Sequence, residues 1–128
     1  MSGAKRGTVA ITIHPYMRTG GDPVTVEVPC TVVGDMAVHR RHTVWKGEVS
    51  VGKGWTITHV ATGLPAGRAM GPLDRRDALK RDCVKWAQEW QDACPDFFAA
   101  LRKGDEARAK ELAPEAMREA IELAGGAA

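Results

Sequence analysis

Histidine, arginine, lysine and tryptophan are the residues of this chain that could do chemistry, and they gather between positions 39 and 55. His39-Arg40-Arg41-His42 is followed by Trp45, Lys46, Lys53 and Trp55. Cations interleaved with indole rings suit a ligand that offers phosphates to the cations and base faces to the rings. Both tryptophans equally suit a hydrophobic core, and paired arginines are ordinary on an exposed strand.

Other chemistries have less to stand on. His39 and His42 are three residues apart in a predicted strand, which should point them to opposite faces, and no Cys-x-x-Cys or His-Glu-x-x-His accompanies them. Neither a metal nor a cofactor is expected. His14 and His59 read as satisfied structural groups. Ser2 and Ser50, the only serines, lie outside Gly-x-Ser-x-Gly, and Cys30, Cys83 and Cys94 fall on apolar faces that disfavour a thiolate. Gly52-Lys53-Gly54 lacks the Gly-x-x-x-x-Gly-Lys-Ser/Thr pattern of a phosphate loop. The chain is therefore read as non-enzymatic.

The elements that must position these residues follow from periodicity. A chain of 128 residues fits one domain, with residues 1–7 and 125–128 expected as mobile tails. Val9, Ile11 and Ile13 alternate with polar or small residues, and Val24, Val26, Val28, Cys30 and Val32 do so again, as half-buried strands should. Pro29 interrupts the second pattern and predicts an edge or a bulge. Gly34-Asp35 marks a turn into a third strand over residues 36–45, and a further hairpin is expected across Gly52-Lys53-Gly54. The four polar residues 39–42 break the alternation, so the third strand should bend there or be wet on both faces.

Beyond residue 61 the period changes to that of helices. Asp74 is expected to cap a helix over 74–94, with Leu79, Cys83, Trp86, Trp90 and Cys94 as its apolar stripe. Asp77/Arg81 and Lys85/Glu89 are spaced to pair on its far side. Pro95 separates a second helix over 96–103, and Pro114 should divide a third, 105–124, into two pieces. The predicted class is α+β: an antiparallel sheet of four or five strands within residues 8–61, packed by C-terminal helices.

Charge divides unevenly, with residues 1–72 at +4 and residues 73–128 at −2 within a net charge of +2. The basic half is the strand-rich half, which suits an anionic partner. No run approaches the ~18 apolar residues of a membrane span, Met1 to Gly7 has no apolar signal core, and the cysteines show no paired spacing. A soluble protein of the cytoplasm, without a membrane partner, is expected.

Two resemblances add to this reading. The strands, a Gly-containing loop and Asp74-Arg75-Arg76-Asp77-Ala78-Leu79 resemble the last strands and second helix of a double-stranded RNA-binding domain. That resemblance covers about a quarter of the chain and implies that Arg75, Arg76 and Lys80 hold phosphates. Gly54-Trp-x-Ile-Thr-His-x-x-Thr-Gly63 followed by Arg-Arg-Asp-Ala resembles small bacteriophage and prophage proteins. It implies a phage or mobile-element protein, in the host cytoplasm, that binds a host or phage macromolecule. Phe97, Phe98, Leu101, Met117 and Ile121 exceed what one small sheet should cover, and a protein partner or a second copy in a homodimer is expected on them. The leading expectation is thus a non-enzymatic macromolecule-binding protein. The alternative is nucleic-acid binding through Arg40, Arg41, Lys46 and Lys53, with His39, His42 and Trp45, or through Arg75, Arg76 and Lys80.

Overall fold

The computed structural model describes residues 5–15 and 21–126. Strands β1 (Lys5–Ile13), β2 (Val24–Val33), β3 (Met36–Trp45) and β4 (Glu48–His59) form an antiparallel sheet in chain order. Two short 3₁₀ turns over Arg68–Leu73, broken at Gly71, lead to helices α1 (Lys80–Ala93), α2 (Pro95–Lys103) and α3 (Glu106–Gly126). The class is α+β, as the change of period predicts.

Lys5, Arg6 and Gly7 do not belong to a tail: they pair with Val32, Thr31 and Cys30 and lengthen β1. β2 pairs with β3 only from Thr31↔Val38 to Val33↔Met36, next to the Gly34-Asp35 turn. Beyond that it leaves with β1 as a two-stranded arm. Pro29 sits in the arm, paired only with Thr8, where one flank has no neighbour to need its missing N–H. The sheet buries both faces. Met36 and Val38 join the core under the helices, while Ala37, between them, joins Val9, Ile11, Val28, Cys30 and Val44 on the other side.

The β3–β4 turn is Lys46-Gly47, with φ of 49° and 81°, a two-residue connection whose twist suits the strands it joins. The hairpin expected across Gly52-Lys53-Gly54 therefore does not form. Those residues run through β4 opposite Arg41, between the pairs Arg40↔Trp55 and His42↔Val51. Their glycines answer to crowding instead. A Cβ at Gly54 would stand 2.1 Å from the carbonyl oxygen of Arg76, and one at Gly52 would stand 3.3 Å from that of Arg41.

The outer edge of β4 is covered by residues 64–78, through Trp55 N–H to Ala78 O (3.0 Å), Ala66 N–H to Ile57 O (2.9 Å) and His59 N–H to Leu64 O (2.9 Å). This edge moves the start of α1. The Ala78 carbonyl is taken by Trp55, so the first helical acceptor is Leu79, which receives Cys83 N–H at 3.1 Å. Asp74 is no cap; its carboxylate holds Arg41. Asp77 pairs with Arg75 rather than Arg81, whereas the Lys85–Glu89 pair forms at 3.9 Å. Leu79 is 46% exposed, so the buried stripe begins at Cys83.

Pro95 opens α2, and Gly104, at φ 72°, closes it. Asp105 then accepts Arg108 N–H at 3.2 Å at the start of α3. α3 is one helix, not two pieces, and it includes Gly125. Pro114 and Lys110, whose carbonyl the proline leaves unpaired, are both exposed, so water can satisfy that oxygen. Trp86 Nε1–H donates to Ala120 O at 2.9 Å and Trp90 Nε1–H to Ala116 O at 3.0 Å, which sets α3 antiparallel to α1.

Gln91 ties α1 to the sheet. Its Oε1 accepts Asp35 N–H and its Nε2 donates to Val33 O, both at 2.8 Å, so one amide closes both sides of the β2–β3 turn. Arg102 adds a 2.7 Å contact to the Asp35 carboxylate from α2. Gln91→Ala should lower unfolding free energy by about 1–3 kcal/mol, because the turn's N–H and C=O lose their partners. The exposed neighbour Asp92→Ala should change it by less than about 0.5 kcal/mol. Denaturant unfolding of the two variants checks this, and equal effects would contradict the clamp.

Candidate nucleic-acid interface

The site is built where β3, β4 and α1 meet. Arg40 is directly opposite Trp55 in the ladder, and its guanidinium carbon lies 5.1 Å from the centre of the Trp55 ring. Lys80, the first residue of α1, brings its Nζ to 5.3 Å of the same centre. Lys80 is carried there by the Ala78 carbonyl bonded to the Trp55 N–H. Lys53 is exposed on β4, and its carbonyl accepts Arg40 Nη1–H at 3.4 Å.

A shallow depression opens beside the ring. Trp55, Leu79 and Val84 form its apolar floor, and Lys80, Arg81, Lys85 and Gln88 its rim. No carboxylate among the described residues lines it. Among the described residues Arg40, Lys53, Lys80 and Arg81 make no ion pair, and Lys85 reaches only Glu89. Cations over an indole face are attracted to its negative centre by about 0.5–1 kcal/mol when exposed, weakly enough to be exchanged for a phosphate.

The remaining sequence-predicted residues are dispersed. Trp45 is 56% exposed at the tip of the β3–β4 hairpin, with Lys46 Nζ 5.9 Å from its ring. It stands five positions along β3 from Arg40, roughly 16 Å away. Arg41 is half-buried on Asp74 and is committed to the fold. Arg75 and Arg76 lie in the loop before α1, not at the helix start that the double-stranded RNA-binding resemblance implies.

The expected partner surface is also broken up. Phe98 is 2% exposed, and Phe97 and Leu101 pack against the same core. Met117 and Ile121 remain open. Arg81, Val84 and Lys85 were not legible as site residues, since i, i+4 charge spacing on a helix reads as solvated pairing. The signal lies in the exposed apolar Leu79 ahead of the partly buried Val84.

His39 and His42 are brought together, contrary to strict alternation. The irregularity between Arg40 and His42 sends Arg40 and Arg41 toward Trp55 and Asp74 and returns Val44 to the face of Ala37. The two imidazole centres are consequently 6.3 Å apart. Each Nδ1 lies 2.8 Å from the Arg40 carbonyl oxygen, and His39 Nε2 lies 2.8 Å from Thr58 Oγ1. A carbonyl only accepts, so both Nδ1 atoms carry hydrogen. Among the described residues no group of three or more His, Cys, Asp or Glu could hold a metal ion.

Burial sets the ionisation of these buried groups. Desolvation lowers the His39 pKa, against the Arg40 carbonyl bond that raises it, with His42 and Arg41 lowering it further. Desolvation lowers that of His59 too, with Asp35 opposing and Arg102 reinforcing; its Nδ1 meets Thr62 Oγ1 at 2.9 Å, and its buried Nε2 has no partner among the described residues. Burial raises all three thiols, Cys83 to about 11, so these cysteines are protonated at neutral pH.

Comparison with family models, curated proteins and solved structures found no match. No helix of the described residues is long and apolar enough to cross a membrane.

The histidine shifts fix a sign. A folded-state pKa below the ordinary ~6.5 means that protons prefer the unfolded chain. Stability is complete above that value and is lost as pH falls through the lowered folded-state values. The melting temperature should therefore drop between about pH 7.5 and 5.5. The double variant His39→Gln/His59→Gln should melt lower throughout but with a flatter pH profile. A wild-type melting temperature that holds steady or rises on acidification would contradict two neutral, buried imidazoles.

Proposed function

We propose that the protein is a non-catalytic binder of nucleic acid, taking the phosphate backbone at Arg40 and Lys80 over Trp55, with Arg81 beside them on α1 and Lys53 exposed on β4. One observation carries the reading: the Arg40 and Lys80 cations lie over one partly open indole ring, Arg81 lines the depression beside it, and none of the three has a carboxylate partner among the described residues. Unpaired cations at that density favour a polyanion, because each phosphate they neutralise releases a counterion. The aromatic floor suits bases or sugars beside those phosphates.

A protein partner on α3 is the second reading, favoured by Met117 and Ile121, which are one turn apart and 40% and 43% exposed. Two side chains make a far narrower patch than the five residues expected from sequence. Ordinary specific interfaces need about 800 Å² on each partner.

Anisotropy of labelled oligonucleotides over a salt series tests the proposal. Affinity should be micromolar at about 50 mM salt and fall with a log–log slope of about −3 on a single strand, for four phosphate contacts. Lys80→Glu/Arg81→Glu should weaken binding more than tenfold and reduce the slope, while Lys110→Glu on α3 should do neither. A glutamate at position 80 suits a helix N-terminus, so the fold is retained. No binding of any nucleic acid at ~50 mM salt, or equal effects of the two sets of variants, would overturn the reading.

A further inference from the structure

We infer that the ligand is single-stranded, and that an unpaired base stacks on Trp55 while the Arg40 and Lys80 head groups leave the ring for the phosphates on either side. This rests on the nucleic-acid reading above and specifies the form of the strand. The argument begins with shape. Duplex readers put a helix or ribbon into a groove, whereas Trp55 lies on the floor of a depression between β4 and α1. A paired base keeps its faces inside the stack and cannot reach such a floor; an unpaired base can.

The chemistry of the depression points the same way. Leu79 is 46% exposed beside Trp55 with Val84 next to it, an apolar surface for a base or sugar that rim cations alone would not need. Gln88 supplies an amide that can both donate to and accept from a base edge. Arg40 comes from a strand and Lys80 from a helix, so the two cations approach the ring from separate elements, as phosphates on either side of one nucleotide require. Both residues are exposed, and among the described residues Arg40 is held beside the ring only by its 3.4 Å bond to the Lys53 carbonyl and its contact with the indole.

The test uses the full chain with a fluorescein-labelled twelve-nucleotide oligothymidylate and a mixed-sequence duplex of the same length, at ~50 mM salt. The single strand should bind about tenfold or more tightly than the duplex. Trp55→Leu should reduce single-strand affinity about tenfold, the effect of one lost base stack. Trp55→Phe keeps a ring and should retain most of the binding. Oligothymidylate should also quench part of the tryptophan emission; Trp45→Leu should keep this quenching and Trp55→Phe should abolish it, which tests the site even if Trp55→Leu folds poorly.

Equal affinity for the duplex overturns this inference but leaves the basic face as a nucleic-acid site. So does quenching that disappears with Trp45 instead of Trp55. Competition by oligoglutamate as effective as that by unlabelled oligothymidylate overturns the inference in favour of an acidic peptide. Absence of binding to either nucleic acid overturns the proposed function as well.

Discussion

Two indole N–H groups reaching into the backbone of α3 set the geometry on which the rest of the molecule depends. Trp86 and Trp90 are one turn apart on α1 and donate to Ala120 and Ala116, one turn apart on α3. Such reach requires the helices to lie close. Ala116, Ala120 and Ala124 provide it, each at most 2% exposed, where larger side chains would hold the helices apart. The indoles pack 4.8 Å centre to centre, and Phe98 from α2 meets Trp90 edge-on at 4.9 Å. Buried donors left unmatched would cost about 1–3 kcal/mol each, so this packing has one register. With α1 fixed, Gln91 meets the β2–β3 turn, Lys80 meets Trp55 and Arg81 lines the depression beside that ring.

The second constraint is the irregular stretch of the β3–β4 ladder. Regular pairing through residues 40–55 would alternate Arg40 and Arg41 between faces and keep His39 and His42 apart. Gly52, Lys53 and Gly54 opposite Arg41 change this, and the bare backbone of Gly54 lets the chain at Arg76 cross close by. Arg41 is then held by Asp74, and Arg40 is left over the ring with no acidic partner among the described residues. The same local distortion thus makes one arginine structural and leaves its neighbour available to a ligand.

Much of the fold was legible in the chain. Alternating valines and isoleucines in β1 and β2, the Gly34-Asp35 turn and the Cys83, Trp86, Trp90 stripe each carry a local physical signal that survives in the tertiary structure. What was not legible depends on contacts distant in sequence. Asp74 has every local mark of a helix cap, yet Arg41, 33 positions earlier, takes its carboxylate, and Trp55 takes the carbonyl of Ala78. Gly52-Lys53-Gly54 looks like a turn because nothing local reveals that Lys46-Gly47 already makes it. For the candidate site, Arg40 and Lys53 were singled out by residue type, and Lys80 only by the resemblance to a double-stranded RNA-binding domain. Arg81, Val84 and Lys85 needed the helix to be laid beside the strand before their shared surface existed.

The indole N–H signals of the four tryptophans, followed by two-dimensional ¹⁵N–¹H NMR, test the central claim most directly, because all four rings are read at once. In D₂O the signals of Trp86 and Trp90 should persist after that of Trp45 has exchanged. On titration with oligothymidylate the Trp55 signal should move while those of Trp86 and Trp90 stay in place. Rapid exchange at Trp86 and Trp90, or shifts confined to rings other than Trp55, would contradict the account.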